Sequence, residues 1–350
     1  MKKTRIVRVA DLKIGGNNPV IIQSMIKTPL KKVGFVLNTI SKLKKEGCEI
    51  IRVAYKEEKE AKFVKSILKE SLLPVEVDIH FASNLAIDAI KFGADAVRIN
   101  PGNVRKQELK NLIDVAKAYS VPIRVGVNSG SIPAKYKNKS NAVSGMVCLM
   151  KEYLEYFQKQ NFKDIMLSLK SNSVRDTYYA NMKVASLFNY PIHLGVTATG
   201  LGTTSIIKSS VGIGALLLQG IGDTIRVSYT GSPLEEVRTA KMILSAVNLR
   251  KFAPEIISCP GCSRLGIDVI KLAREAQSAI NKMSISKPLK IAIMGCEVNG
   301  PGEAEDADIG IAGGKNCAIL FKKGKIVKKV SDANIISVLM KEVKDMAEER

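Results

Sequence analysis

Three cysteines near the end of the chain have the types and spacing of metal ligands. Cys259 and Cys262 form a Cys-x-x-Cys pair, and Cys296 lies in a glycine- and proline-rich segment that ends at Glu303. Thiolates select soft or borderline metals, so zinc and an iron–sulfur cluster are the candidate occupants. A zinc site usually has a fourth cysteine or a histidine nearby, and neither histidine of the chain falls in this region. The pattern therefore favours a cluster over a structural zinc knuckle or a redox dithiol.

The cluster would lack one thiolate ligand. Cluster irons are normally held by four thiolates, so three cysteines leave one iron with another ligand or open to chemistry. Glu303 is the first candidate for that position, and Cys317 and Glu297 are less favoured. The remaining cysteines, Cys48 and Cys148, stand alone in helical or apolar segments, which predicts buried, unreactive thiols.

Basic side chains recur at the ends of predicted strands earlier in the chain. Four arginines and one lysine occupy such positions, together with polar residues and both histidines. The set is Arg52, Asp78, His80, Arg98, Asn100, Arg124, Asn128, Lys170, His193, Arg226 and Ser228. Buried cations repel one another unless an anion neutralises them, and guanidinium groups suit phosphate oxygens. The set predicts a small substrate with two or more phosphate charges; His80 is a candidate donor or proton carrier, and His193 is expected to be structural.

The elements that position these residues alternate between short β-branched runs and longer helical patterns. The predicted strands are 20–24, 49–53, 75–79, 96–100, 122–127, 165–170, 192–197 and 224–228. Eight strand–helix units in about 230 residues are typical of a (β/α)8 TIM barrel, whose active site lies at the C-terminal strand ends. A doubly wound sheet is the alternative, but no glycine-rich motif follows the first strand.

A second domain is predicted after the segment Arg250–Pro254. Its pattern comprises a strand that runs into Cys259, a helix over 267–283, a strand over 289–294, a hairpin around Gly324 and a closing helix over 333–349. The chain is thus predicted to have a TIM-barrel substrate-binding domain over 1–250 and a smaller α/β iron–sulfur domain over 254–350.

Composition narrows the class of protein. The chain has 350 residues, of which 46% are hydrophobic and 25% charged, as in ordinary soluble globular proteins. No apolar run is long enough to span a membrane and no signal peptide is recognisable, so a cytoplasmic location is expected. The formal charge of +21 fits nucleic acid, acidic partners, an anionic substrate or a biased composition. Because no RNA-binding aromatic signature accompanies it, most of this charge is interpreted as solvated surface.

Longer motifs cover nearly the whole chain. They are Gln23-Ser-Met25, Cys48-Glu-Ile-Ile-Arg52, Asp78-Ile-His80-Phe, Arg98-Ile-Asn-Pro-Gly-Asn103, Pro122-Ile-Arg-Val-Gly-Val-Asn128, His193-Leu-Gly-Val-Thr197, Gly222-Asp-Thr-Ile-Arg226-Val-Ser228, Cys259-Pro-Gly-Cys262 and Met294-Gly-Cys296-Glu-Val-Asn-Gly-Pro-Gly-Glu303. The last string is highly specific. Together they resemble the 4-hydroxy-3-methylbut-2-enyl diphosphate synthase family, in its short bacterial form.

The resemblance implies a reaction and a cofactor. A [4Fe-4S] cluster would be held by Cys259, Cys262, Cys296 and Glu303. The substrate would be 2-C-methyl-D-erythritol 2,4-cyclodiphosphate of the methylerythritol phosphate isoprenoid pathway, opened and dehydrated with two electrons from ferredoxin or flavodoxin. A homodimer is implied, in which the cluster domain of one subunit covers the barrel mouth of the other; neither a membrane nor nucleic acid is an expected partner.

The resemblance also assigns roles within the barrel. The residues that match the family's diphosphate-binding set are Arg52, His80, Arg98, Arg124, Asn128, Lys170, Arg226 and Ser228. The candidate catalytic residues are Glu303 of the cluster domain and, from their positions in the barrel, His80 and Asp78.

One position departs from the family pattern. The family usually has Thr-Glu-Ala-Gly after His-Leu-Gly-Val, and the glutamate is thought to act as an acid. Here the segment is Thr197-Ala198-Thr199-Gly200. A general acid is typically worth about 10²–10⁴ in rate. His80, Asp78 or a water held by Thr197 or Thr199 are the candidate replacements, and a slow enzyme or a paralogue with another substrate is the alternative.

Two other functions remain open from the residues alone. The charge of +21 and the missing glutamate fit a basic iron–sulfur or zinc protein that binds nucleic acid or an acidic partner without this activity. A different barrel enzyme that acts on a phosphorylated substrate and carries a structural metal domain is the second.

Overall fold

The chain divides into two compact units, Met1–Arg250 and Lys251–Arg350. The computed structural model describes residues 2–79, 82–104, 106–137, 141–283, 285, 287–297, 302, 304–314 and 317–348. Within these ranges, no helix is both long and apolar enough to cross a membrane.

The first unit begins with an antiparallel hairpin that the sequence analysis did not predict. It consists of β1 (Val7–Val9) and β2 (Leu12–Ile14). Its buried side chains pack against Ile21, Ile50 and Ala96, each of which is the first residue of a barrel strand. The hairpin therefore covers the N-terminal end of the barrel, away from the predicted site.

Eight parallel strands form the barrel wall. They are β3 (Ile21–Met25), β4 (Ile50–Tyr55), β5 (Val75–Ile79), β6 (Ala96–Ile99), β7 (Ile123–Asn128), β8 (Ile165–Lys170), β9 (His193–Leu194) and β10 (Thr224–Ile225). Their order is β8-β7-β6-β5-β4-β3-β10-β9, and a parallel bridge between Leu167 and Ile192 joins the two ends. The prediction of a (β/α)8 barrel is confirmed.

Helices surround this wall. They are α1 (Val33–Glu46), α2 (Ala61–Glu70), α3 (Ser83–Lys91), α4 (Leu109–Ala118), the short α5 (Ala134–Lys137), α6 (Ala142–Lys159), α7 (Val174–Leu187), α8 (Gly202–Leu218) and α9 (Pro233–Ala246). Because side chains fill the barrel on one face and helices cover the other, strands such as β5 and β8 are buried at every position. Side-chain caps fix several helix starts; Ser232, for example, accepts a hydrogen bond from the Leu234 amide at 3.2 Å.

In the part of the second unit that the structure describes, a five-stranded sheet packs against two long helices. Its elements are β11 (Glu255–Ser258), α10 (Val269–Met283), β12 (Lys290–Met294), β13 (Ile309–Gly314), β14 (Cys317–Lys322), β15 (Lys325–Val330) and α11 (Ile335–Glu348). The strands follow one another in chain order, with β11, β12 and β13 parallel and the last two antiparallel. Leu272 and Ala276 of α10 and Leu339 of α11 are buried in one core with Ile291 and Ile311. The parallel part places the carboxyl ends of β11 and β12 side by side, just before the cysteine segments.

Candidate active site

A cavity of about 150 Å³ lies at the C-terminal ends of the barrel strands. Seven residues that the sequence analysis selected line it. They are Arg52, Asp78, Arg98, Asn128, Lys170, Arg226 and Ser228. Met25, Ser168 and Thr197 complete the lining. The convergence of basic residues from different strands is therefore present in the structure.

Asp78 connects two of the arginines. Its Oδ1 accepts a hydrogen bond from Nη1 of Arg98 at 3.0 Å, and its Oδ2 lies 3.6 Å from Nε of Arg52. Arg98 also donates to the backbone carbonyl of Gly126 at 2.9 Å, and Arg52 donates to the sulfur of Met25. These contacts fix two guanidinium groups in a nearly dry setting, where they are strong phosphate donors.

Arg124 lies deeper than the other arginines and is not part of the cavity lining. It is 1% exposed, donates to Oε1 of Gln23 at 2.9 Å and forms a short ion pair with Glu76. Burial lowers the pKa of Arg124 to about 9, and the Glu76 carboxylate opposes this shift. The guanidinium stays charged at neutral pH. Although Arg124 does not line the cavity, its positive charge adds to the electrostatic potential there.

Arg226 is held by a carboxylate that the sequence analysis did not select. Glu236, at the start of α9, lies 3.4 Å from Nη2 of Arg226 and 2.9 Å from the ammonium of Lys27. Its other oxygen accepts from the hydroxyl of Ser24 at 2.9 Å, and the side chain of Glu236 has no exposed surface. Burial lowers the pKa of Arg226, and repulsion from Arg52 adds to this effect.

Lys170 contacts an imidazole. Its Nζ lies 3.0 Å from Nε2 of His193, whose Nδ1 is 2.7 Å from Oγ1 of Thr224. When Lys170 is a charged ammonium it only donates, so Nε2 then accepts and the ring carries its proton on Nδ1, from which it donates to Thr224. Burial and the surrounding arginines lower the pKa of Lys170 and that of His193 well below their ordinary values.

Two glycines make room for these cations. A Cβ on Gly126 would lie 2.6 Å from Nε of Arg98, and a Cβ on Gly195 would lie 2.7 Å from Nζ of Lys170. Neither glycine has a positive φ, so the requirement is for space rather than for backbone conformation. The glycines within the strand motifs therefore serve the site directly.

The charges around the cavity do not cancel. Among the described side chains, five buried or half-buried cations face three carboxylates. The cations are Arg52, Arg98, Arg124, Lys170 and Arg226, and the carboxylates are Glu76, Asp78 and Glu236. With all groups ionised, an excess of at least two positive charges remains, because the partly exposed Lys27 also shares Glu236. Such an excess in a water-poor site favours a multiply charged anion.

The loop that departs from the family pattern reaches the cavity through Thr197. Ala198 is exposed with φ +52°, and Thr199 is 2% exposed, with its hydroxyl bonded to the Ser228 carbonyl and 2.7 Å from Oγ of Ser205. Thr199 is thus fully engaged, whereas Thr197 lines the cavity. Of the two threonines proposed to hold a water, the geometry favours Thr197.

Two further residues were predicted for this site. His80 falls outside the described residues. Asn100 does not line the cavity; its side chain donates to Oγ of Ser131 at 2.9 Å and accepts from the Gly102 amide at 3.0 Å, so it stabilises the turn after β6.

The three cysteines of the candidate metal site follow β11 and β12 of the second unit. Cys259 directly follows β11, and its sulfur accepts a hydrogen bond from the Gly295 amide at 3.2 Å, next to Cys296. Cys259 and Cys296 are half-buried and Cys262 is exposed. All described cysteines are free thiols. Within the described residues, no three His, Cys, Asp or Glu side chains are close enough to hold a metal ion, and Glu303 lies outside those residues.

The donor set nonetheless fits a thiolate-bound metal group. Backbone N–H groups that point at cysteine sulfur stabilise thiolates, and none of these thiols is consumed in a disulfide. Glu297 and Cys317, the less favoured ligands, both lie near Gly314, the last residue of β13. A Cβ added to Gly314 would be 3.2 Å from a Glu297 oxygen and 3.7 Å from the Cys317 sulfur.

The two remaining cysteines differ from each other. Cys48 is 3% exposed, and burial raises its pKa to about 12, in line with an unreactive thiol. The prediction that Cys148 is buried was wrong, because it lies on the exposed face of α6.

The fold and these sites define a class: two-unit barrel enzymes with a cationic cavity at the strand ends and a cysteine-rich α/β module. The chain belongs to the GcpE family, since the GcpE TIM-barrel domain model matches residues 4–241 and the GcpE protein C-terminal domain model matches residues 255–345. The resemblance inferred from the motifs is confirmed.

Curated relatives match along the full length. A protein of Caldanaerobacter subterraneus subsp. tengcongensis is 46% identical, with 99% of this chain and 98% of the relative covered. One of Fusobacterium nucleatum is also 46% identical (100% and 99% covered), and one of Bacillus subtilis is 43% identical (99% and 92%). All three are named 4-hydroxy-3-methylbut-2-en-1-yl diphosphate synthase (flavodoxin).

Similar solved structures support the barrel fold alone. A dihydropteroate synthase of Yersinia pestis has a TM-score of 0.51 at 11% identity and covers 70% of this chain and 100% of its own. The enzyme of Coxiella burnetii has a TM-score of 0.50 at 14% identity, with 70% and 99% covered.

Proposed function

We propose that this protein is a 4-hydroxy-3-methylbut-2-en-1-yl diphosphate synthase, which reductively opens and dehydrates 2-C-methyl-D-erythritol 2,4-cyclodiphosphate. The cationic cavity at the strand ends carries the proposal. Its excess of positive charge suits a small diphosphate, and it occurs in a chain 46% identical over its length to relatives with that name. A cavity of about 150 Å³ admits no nucleic acid strand, so the cations of this site do not favour the alternative of nucleic acid binding.

The barrel residues would divide the work of binding. Arg52, Arg98 and Arg226 present guanidinium groups to phosphate oxygens, and Asn128 and Ser228 add uncharged donors. Asp78 orients two of the arginines through its ion pairs. Arg124 supports the charge from beneath, Lys170 contributes an ammonium, and His80 belongs to the proposed set as a further donor.

Cys259, Cys262, Cys296 and Glu303 would hold a [4Fe-4S] cluster. When bound, such a cluster supplies electrons one at a time and a Lewis-acidic iron. A carboxylate is a weaker iron ligand than a thiolate, so Glu303 would be the ligand that yields most readily. The 1–250 unit is accordingly proposed to bind substrate, and the 254–350 unit to bind the cluster.

The relatives' names specify flavodoxin, and we extend that donor to this chain. A homodimer is also proposed. The proposed compartment is the cytoplasm, because a reducing environment keeps the ligand thiols available.

An anaerobic assay tests the proposal. The reconstituted protein is incubated with the cyclic diphosphate and reduced flavodoxin, or with dithionite and a dye mediator, and the open-chain diphosphate is quantified. Turnover is expected, together with a broad absorption near about 400 nm. Protein that carries zinc at full occupancy and no iron, or a loaded cluster without turnover, would refute it.

Glu303→Ala tests the fourth ligand. Three thiolates should hold a labile cluster, so iron content is expected to fall during gel filtration and turnover to be lost. Glu305→Ala is the matched control, because Glu305 lies on the same segment outside the proposed set. An intact cluster with full activity in Glu303→Ala would remove Glu303 from this role.

A further inference from the structure

Lys170 differs from the other cations of the cavity in its partner. Arg52 and Arg98 pair with Asp78, Arg124 with Glu76, and Arg226 with Glu236. No ion pair to a carboxylate is present for Lys170 among the described residues, and its nitrogen contacts the ring of His193. An ammonium without a carboxylate partner is free to release its proton when the neighbouring charge changes.

The position of Lys170 suits a proton donor. It is the last residue of β8, it lines the cavity, and it is 5% exposed. Its neighbour is an acceptor when Lys170 is charged, because the proton of His193 is then on Nδ1, 2.7 Å from Oγ1 of Thr224. This arrangement holds Nζ in one place and leaves its remaining N–H bonds for a ligand in the cavity.

The reaction proposed above requires a proton. The cyclic diphosphate dianion, two electrons and one proton give the open-chain diphosphate trianion and one water. Two C–O bonds break and leave their electron pairs on oxygen; one oxygen remains on phosphate, and the other departs from the adjacent carbon as hydroxide. The two electrons from reduced flavodoxin enter the new C=C bond, and the proton converts hydroxide into water.

Other donors within the described cavity are poorly placed. Ala198 has no acidic group. Both oxygens of Asp78 face guanidinium groups, so a proton on either would point at a cation. Arginine does not release its proton near neutral pH. Thr197 can hold a water but cannot by itself supply a net proton.

We propose that Lys170 donates this proton to the departing oxygen and that His193 is the residue that positions it. The inference rests on the proposed function and adds a chemical role to a residue otherwise assigned to diphosphate binding. Lys170 regains a proton from solvent when the next substrate dianion binds.

The charges that face Lys170 support this role. They come from Arg52, Arg98, Arg124 and Arg226, with Asp78 as the carboxylate of the lining and His193 as the direct contact. Burial and these arginines lower the pKa of Lys170 in the free protein, whereas a bound diphosphate dianion raises it again. Substrate binding therefore favours the protonated ammonium, and transfer of its proton to the departing hydroxide returns Lys170 to the neutral amine.

Proton uptake on binding tests the loading step without turnover. The reconstituted protein without reductant is titrated calorimetrically with the cyclic diphosphate in two buffers of different ionisation enthalpy, at slightly alkaline pH. Wild-type protein is expected to take up a proton, and Lys170→Arg and Lys170→Met are expected to take up less. Lys159→Arg, a change at an exposed lysine of α6, is the control that keeps the wild-type value. Equal uptake in all four proteins would overturn the proposal.

Kinetics separate proton donation from binding. Lys170→Arg retains the charge, so KM is expected to change only a few-fold while kcat falls by about 10²–10⁴ and the alkaline limb of the pH profile disappears. Because Gly195 leaves little room for a larger side chain, Lys170→Ala is the second variant, and ethylamine is expected to restore part of its kcat in proportion to its concentration. A raised KM with unchanged kcat, or no rescue in a folded variant, would overturn the role. Absence of wild-type turnover would instead overturn the proposed function and this inference with it.

Discussion

Asp78 and Arg98, on neighbouring strands β5 and β6, are joined by a buried hydrogen-bonded ion pair of 3.0 Å in the lining of the cavity. Both were predicted site residues, and the pair explains how a carboxylate belongs to a site for an anion. The carboxylate orients cations, while the excess charge on the cations remains available to the substrate.

Asp78→Asn should therefore impair both stability and turnover. The amide nitrogen would face Arg52 or Arg98, so the free energy of unfolding is expected to fall by about 1–3 kcal/mol, measured by urea denaturation. kcat should fall at least about tenfold as the guanidinium groups lose their orientation. Asp114→Asn, which breaks an exposed pair with Lys110, is the control with an effect under about 0.5 kcal/mol. Unchanged stability in Asp78→Asn would contradict the pairing.

Arg124 and Glu76 offer a test of a buried ion pair beneath the site. Arg124→Met leaves Glu76 as an uncompensated buried charge, so unfolding is expected to become easier by about 3–5 kcal/mol. The double variant Arg124→Met with Glu76→Leu should recover most of this loss, since both charges are removed. Denaturation of the two single variants and the double variant measures the coupling. A double variant as unstable as the sum of both single variants would show that the residues act independently.

Ala198→Glu restores the acid that the family usually has at this position. Ala198 is exposed, and its φ of +52° is already borne by a side chain with a Cβ, so the change adds little backbone strain. We expect kcat to rise, with an upper bound near the 10²–10⁴ typical of a general acid. Ala198→Gln provides the same size without the proton and should remain at the wild-type rate. Equal rates for both variants would mean that the glutamate side chain does not reach the reacting group.

Glu342 gives a pH-dependent prediction for the second unit. Its carboxylate accepts from Lys322 and Lys328, each at 2.8 Å, and these bonds lower its pKa from 4.5 to about 2. A depressed carboxyl pKa stabilises the folded state above pH 4.5, and this contribution is lost as the pH falls through about 2. Glu342→Gln is expected to cost about 0.5–1 kcal/mol at neutral pH, because the lysines are partly exposed. Denaturation at several pH values should show the difference between the two proteins shrinking below pH 4.5; a constant difference would rule out the linkage.

The barrel was predictable because its strands and helices differ in period and composition. The predicted strands 75–79 and 165–170 match β5 and β8 residue for residue, whereas 192–197 and 224–228 shorten to two residues each in β9 and β10. Thr197, Arg226 and Ser228, which follow these short strands, line the cavity. The N-terminal hairpin was missed because its three-residue strands are too short to show a period.

The cations of the site were predictable from their positions at strand ends, but their counter-ions were not. Glu76 and Glu236 are buried, and a strand covered on both faces gives no alternation from which to infer that Glu76 points inward. Glu236 lies on a helix, so the pairing of strands gives no sign that it contacts Arg226. The Gly126 and Gly195 positions were visible in the motifs, but only the packing around Arg98 and Lys170 shows why no larger residue fits.

The strands of the barrel wall are paired over unequal lengths. β9 and β10 contribute two residues each, and the Leu167–Ile192 bridge joins β8 to the segment before β9, whereas β4 and β5 share five paired positions. Separation of neighbouring strands therefore breaks the fewest paired positions between β8, β9 and β10. This part of the wall contains His193 and continues into Thr197 and Arg226. A ligand too wide for the cavity would therefore widen the barrel on the side of Lys170, the proposed proton donor.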